Sequence, residues 1–170
     1  WHMAMEVIIP LENYYHVSVN EKDYHLLPYD ILIIPPGEIH TLLAPETGIR
    51  NIYLIDISFL TQIKGFASIQ TLMSQSIHIT QGSYPKIHKS IFNQFLDIAE
   101  EYFDNKEYCE ITIYSILLRI FSELGYYRTQ DSGLFPNCRS DKKKEYIQKI
   151  NVVLDFIDIN YAEDISLDKM

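Results

Sequence analysis

The sequence predicts an α+β chain in which strands come first and helices follow. Residues 1 to about 58 hold short apolar runs, Val7–Ile9, Ile31–Ile34 and Ile52–Ile57, broken by Pro, Gly, Asn and Asp, which are the lengths and punctuation of strands. Beyond Gly82 the apolar period changes to that of a helix. With 170 residues, 47% of them apolar and 13% aromatic, the chain can fill one core and carry a small appendage.

In the strand-rich part, Asn20–Asp23 reads as a hairpin turn, Pro35-Pro36-Gly37 as a tight turn and Pro45–Gly48 as a loop. An all-β region of this kind closes into a sandwich or barrel. Phe59 to Thr80 has a mixed pattern, with a short helix expected around Ala67–Ser74. Ile87, Ile91, Phe95, Ile98, Ala99 and Tyr102 then define an amphipathic helix, opened by Ser83 and Pro85 and closed near Asp104-Asn105. A second helix is expected from about Glu107 to Leu124, ending at Gly125. It has one apolar side at Ile113, Ile116 and Ile120 and another at Tyr114, Leu117, Phe121 and Leu124. Two apolar sides call for two partners, one within the protomer and one in a second subunit. Residues 129–143 are polar and read as a linker. A third helix is expected from about Lys144 to Asn160, on the stripe Ile147, Ile150, Val153, Leu154 and Ile157, and Ser166 offers the N-cap of a fourth.

Composition also narrows the function. A net charge of −9 argues that this stretch does not itself coat a phosphate backbone, since that affinity comes from clustered Lys and Arg. The run Lys142–Lys144 reads as a solvated helix start. Neither a span of about 18 uncharged apolar residues nor a signal-peptide pattern is found, so a soluble protein without membrane contact is expected. Cys109 and Cys138 lack neighbours at metal-ligand spacing and cannot make a disulfide framework, which fits a reducing cytoplasm.

The residues carrying chemistry lie near the start. Tyr29 to His40 holds Pro35, Gly37 and His40 in the spacing of the second cupin signature, G-x5-P-x-G-x2-H-x3-N, with Tyr29 at its Gly position and Ala44 at its Asn position. His2 and Glu6 match the second His and the Glu of the first signature, H-x-H-x3-E-x6-G, with Asn13 at its Gly position and its first His falling before Trp1. Gly37 permits a left-handed bend that reverses the chain and aims His40 inward. His2 and Glu6, four apart on a strand, share a face. Two alternatives stay open for His2, Glu6 and His40: a two-His-one-carboxylate iron or manganese site, or hydrogen-bond partners lining a small-molecule pocket. A further reading has His40 merely satisfying backbone groups near its turn. Among Tyr15, His16, Tyr24 and Tyr53, all on expected strands, His16 and Tyr53 are taken as further pocket lining, although strand tyrosines commonly just pack.

The other end carries an independent pattern. Ile157-Asp158-Ile159-Asn160-Tyr161, then Glu163-Asp164, then Ile165-Ser166-Leu167, resembles the opening of the helix-turn-helix domain of AraC-type transcription regulators. With the cupin-like motifs ahead of it, the whole chain is similar to that family. The resemblance implies a cupin-like (jelly-roll) β-barrel that binds an effector over 1–80, dimerisation helices over 81–128, a linker over 129–143 and a truncated DNA-binding domain over 144–170. It implies a regulator rather than an enzyme, with no cofactor and no resident metal. Its partners would be a small-molecule effector such as a sugar, DNA through the missing C-terminal domain, and a second subunit through the helices at 87–124. The alternative is a metal-dependent cupin enzyme acting on a small organic acid or sugar.

Overall fold

A computed structural model describes residues 2–66 and 74–130, together with Val153, Phe156, Ile157, Ile159, Asn160 and Tyr161. The chain divides into two units, Trp1–Cys138 and Arg139–Met170.

In the first unit the expected strands form: β1 (Met5–Pro10), β2 (Tyr15–Val19), β3 (Lys22–Leu26), β4 (Ile31–Ile34), β5 (His40–Leu43) and β6 (Arg50–Ile55). A 3-10 turn at Ser58–Gln62 and a seventh strand, β7 (Ile77–Ile79), follow in the segment of mixed pattern. The short helix expected around Ala67–Ser74 lies almost wholly outside the described residues. All pairings are antiparallel, in a four-stranded sheet ordered β6-β1-β4-β7 and a three-stranded sheet ordered β3-β2-β5.

Helices α1 (Pro85–Asp104) and α2 (Cys109–Gln130) follow, so the described residues of this unit are α+β in class. Helix α1 begins and ends where the sequence places it, and Asn105 closes it in the left-handed conformation (φ 47°). Helix α2 does not stop at Gly125 but runs on to Gln130. Packing overrides the glycine there: Tyr127 beyond it joins the core and sets its ring edge-on to Tyr84.

The four-stranded sheet is a middle layer, which explains why β1 and β4 are apolar at every position but one instead of alternating. Met5, Val7, Ile9, Ile31, Ile33, Ile77 and Ile79 face the helices and pack with Ile87, Ile91, Phe95, Leu117 and Phe121. Ile8, Leu32 and Ile34 point the other way, into a separate cluster with Tyr15, Val17, Val19, Tyr24 and Leu26 of the three-stranded sheet. Truncating a buried aromatic such as Phe95 to Ala would cost about 3–5 kcal/mol.

Both expected sides of α2 contribute to the core of the protomer. Ile116 and Ile120 are as buried as Leu117, Phe121 and Leu124, and Ile113 and Tyr114 pack against the same cluster. The two stripes are adjacent and share one buried cluster with residues of the sheet and of α1, while Ile113 and Tyr114 stay half-buried at its margin. A polar link joins the helices, with the Gln94 amide and the Ser90 hydroxyl donating to Glu123 Oε2 at 2.9 and 2.8 Å.

In the second unit, Val153, Phe156, Ile157, Ile159 and Asn160 are helical, and the Asn160 amide donates to the Phe156 carbonyl at 2.7 Å. The linker, the lysine run and the residues from 162 onward lie outside the described residues.

Candidate functional site

The Pro35-Pro36-Gly37 turn builds the site. Gly37 adopts φ 76°, and its N–H donates to the His2 carbonyl at 3.1 Å, which fixes the segment before β1 against the turn. Three residues later the chain enters β5, where His40 pairs with Val19 and so shares its inward face. His40 Nδ1–H donates to the Glu38 carbonyl at 2.8 Å, and His2 Nδ1–H donates to the Ala4 carbonyl at 3.0 Å. Glu6, on β1, has the parity of Ile8 and projects between the sheets.

These three side chains converge. Glu6 Oε2 lies 2.9 Å from His2 Nε2 and 2.9 Å from His40 Nε2, and one ligand atom from each residue falls within 4.8 Å of the others. The two imidazole rings meet edge to face with centroids 5.1 Å apart. Glu6 is 2% exposed; the His40 side chain is 7% exposed and that of His2 32%, so solvent reaches the cluster from the His2 side. With each Nδ1–H committed to a carbonyl, each Nε2 meets the carboxylate through a shared proton or a cation. Glu6 Oε1 is buried and has no hydrogen-bond partner among the described residues. Buried carboxylate oxygens are rarely left so, and this one marks unused binding capacity.

The donor set also fits a divalent metal. Two imidazole nitrogens and one carboxylate suit iron or manganese, and backbone carbonyls on both Nδ1–H groups are the usual supports that orient ligating histidines.

His16 and Tyr53 are not part of this cluster. His16 pairs with Leu43 and His25 on the outward face of the three-stranded sheet, and its Nδ1 contacts His25 Nδ1 at 3.2 Å. The alternation of β2 sends Tyr15, Val17 and Val19 inward, which leaves His16 outside. Tyr53 lies opposite Val7 on the helix-facing side of β6 and donates its hydroxyl to the Phe95 carbonyl at 2.8 Å. Tyr15 and Tyr24 do point inward, where they are buried as packing residues.

Two features escape sequence reasoning. His78 of β7 lies across from Leu32, with its Nε2 3.2 Å from Asp30 Oδ2 and its ring edge-on to Tyr24. No periodic signal marks a three-residue strand as short as β7. The other is a cleft of about 570 Å³ between β6 and the two helices, lined by Arg50, Tyr53, Tyr102, Phe103, Glu110 and Tyr114 among others.

No family model and no curated protein matches this chain. Among the described residues no helix is long and apolar enough to cross a membrane.

Proposed function

We propose that this chain is the effector-sensing and dimerisation portion of an AraC-type transcription regulator, with a cupin-like barrel whose ligand is anchored by His2, Glu6 and His40. The observation that carries the reading is the convergence of those three side chains on a buried carboxylate with one oxygen unsatisfied. Backbone conformation adds support for the cupin-like motifs. Asn13 and Tyr29, which stand where the two signatures carry glycine, adopt φ 61° and 73°, and Gly37 adopts 76°, so all three glycine positions are left-handed.

The middle of the sandwich is filled by Ile8, Val17, Leu26, Leu32 and Ile34, all essentially unexposed, so the ligand sits at the cluster end and is small. A hydroxyl donating to Glu6 Oε1 suits a hydroxylated metabolite such as a sugar. Ligand binding shifts a population only if one arrangement of the chain binds it more tightly, and DNA contact belongs to the helix-turn-helix segment.

A thermal-shift screen against sugars and related metabolites tests the proposal. A true ligand at 100 times its dissociation constant adds about 2.7 kcal/mol of stability to the wild type and little to Glu6→Gln. A panel that moves neither protein removes the effector.

A metal-dependent enzyme is the second reading, favoured by the two-nitrogen, one-carboxylate donor set. An ion held by His2, Glu6 and His40 would supply Lewis-acid chemistry there. Stoichiometric iron or manganese that survives gel filtration of the wild type, and is lost from Glu6→Gln, would select this reading over the first.

A further inference from the structure

Strand β6 borders the four-stranded sheet with nothing paired on its far side among the described residues. Its sequence, Arg-Asn-Ile-Tyr-Leu-Ile, is followed by Asp56, and it has no proline, no lysine and no bulge in its pairing with β1. Ile52 and Leu54 are 42% and 62% exposed. The Leu11 N–H bonds the Ile49 carbonyl, and antiparallel bonding alternates along a strand, so residues 51, 53 and 55 face β1. The N–H and C=O groups of Arg50, Ile52 and Leu54 therefore point outward, ready for another strand.

We propose that a second copy of this chain docks on β6, strand to strand and antiparallel, about a twofold axis at Tyr53. The strand is complementary to itself in that register alone. Reversed on itself about Tyr53, it sets Arg50 opposite Asp56 and Ile52 opposite Leu54, twice each. A shift of two residues in either direction leaves Arg50 facing Leu54, or Asp56 facing Ile52. The outward backbone groups also match, because Ile52 and Leu54 fall opposite each other as a hydrogen-bonded pair.

Neither charge has an ion-pair partner within the protomer among the described residues. The Arg50 guanidinium sits over the Tyr15 ring, 4.7 Å from its centroid, and Asp56 Oδ1 accepts the Ser58 N–H at 2.8 Å. Such an interface is isologous and closes at two copies, forming one eight-stranded sheet from two of four. It stands apart from the effector reading, since pairing and ligand binding are measured separately.

Sedimentation equilibrium on the full chain decides the matter. The wild type is a dimer, and R50D and D56R each raise its dissociation constant about tenfold, because each faces two like-charged pairs. Mixing the R50D and D56R chains restores a heterodimer within about threefold of wild type, since every pair is then opposite in sign. Leu54→Lys, which leaves the Tyr15 and Ser58 contacts in place, also breaks the dimer and carries the test if either charge variant melts early. A wild-type monomer, single variants that dimerise like wild type, or a mixture that stays monomeric would each overturn the proposal.

Discussion

His88 Nε2–H donates to the Tyr29 carbonyl at 2.7 Å, tying the first turn of α1 to the bend that leads into β4. Tyr29 holds φ 73° there, a conformation that costs an ordinary side chain about 1 kcal/mol. Its N–H bonds the Pro10 carbonyl at 2.7 Å, and its ring meets Phe92 edge-on, which together hold the strained backbone in place. His88 lies flat against the same Phe92.

This arrangement sets the outcome of three substitutions. His88→Ala should lower unfolding free energy by about 1–2 kcal/mol, because it strands a carbonyl and loses a ring contact. Tyr29→Val should cost a similar amount, since a β-branched residue resists the left-handed region, while Tyr29→Gly should stay within about 1 kcal/mol of wild type. Urea titrations of the three variants would check the order.

At the cluster, His40→Ala should destabilise by about 3 kcal/mol or more, because it removes one of the two partners of a buried carboxylate. Replacing both residues, as Glu6→Met with His40→Leu, should cost less than His40→Ala alone. A double-mutant cycle by chemical denaturation measures the coupling directly, and additive costs would mean that the two groups do not interact.

Most of the layout was readable because periodicity reports which faces are buried. The runs at Val7, Ile31 and Ile52, the turn at Gly37 and the first helix all follow from local pattern, and His2, Glu6 and His40 meet because a Pro-Gly turn joins them. Spacing cannot supply phase on a short strand. His16 and Tyr53 each sit one residue out of register with the inward face, so neither joins the histidine cluster, and Tyr53 lines the cleft beside the helices instead. Nor could the pattern of α2 reveal that its two stripes share one core, since that depends on α1 and the sheet closing around it.

Burial pushes the Tyr53 phenol above its ordinary value of 10.0, against a smaller opposing effect of the hydrogen bond from Asn51. The folded state thus favours the neutral phenol. Its contribution to stability is complete below the unfolded value near 10 and fades as pH rises through the folded one. Tyr53→Phe should cost about 1 kcal/mol at neutral pH through the lost bond to Phe95, and should remove that part of the alkaline decline. Denaturation midpoints of both proteins from pH 7 upward would display the difference.

The hairpin turn between β2 and β3 places Asn20 at φ 47° and Glu21 at φ 67°, the pair of left-handed residues that a type I′ turn requires. Glutamate is a poor occupant of the second position. Glu21→Gly should therefore raise stability by up to about 1 kcal/mol, and a fall in the melting temperature would show that the Glu21 side chain contributes more than its backbone costs.

Strand β1 serves two compartments at once. Glu6 belongs to the histidine cluster, while its neighbours Met5 and Val7 are lodged among the residues that seat the helices. Because these side chains hang from one short length of backbone, anything that tugs the carboxylate also tilts or slides the wall on which the helices rest. The sheet is a shared partition, with the carboxylate of the cluster and the residues that seat the helices joined through one strand and no intervening loop or hinge.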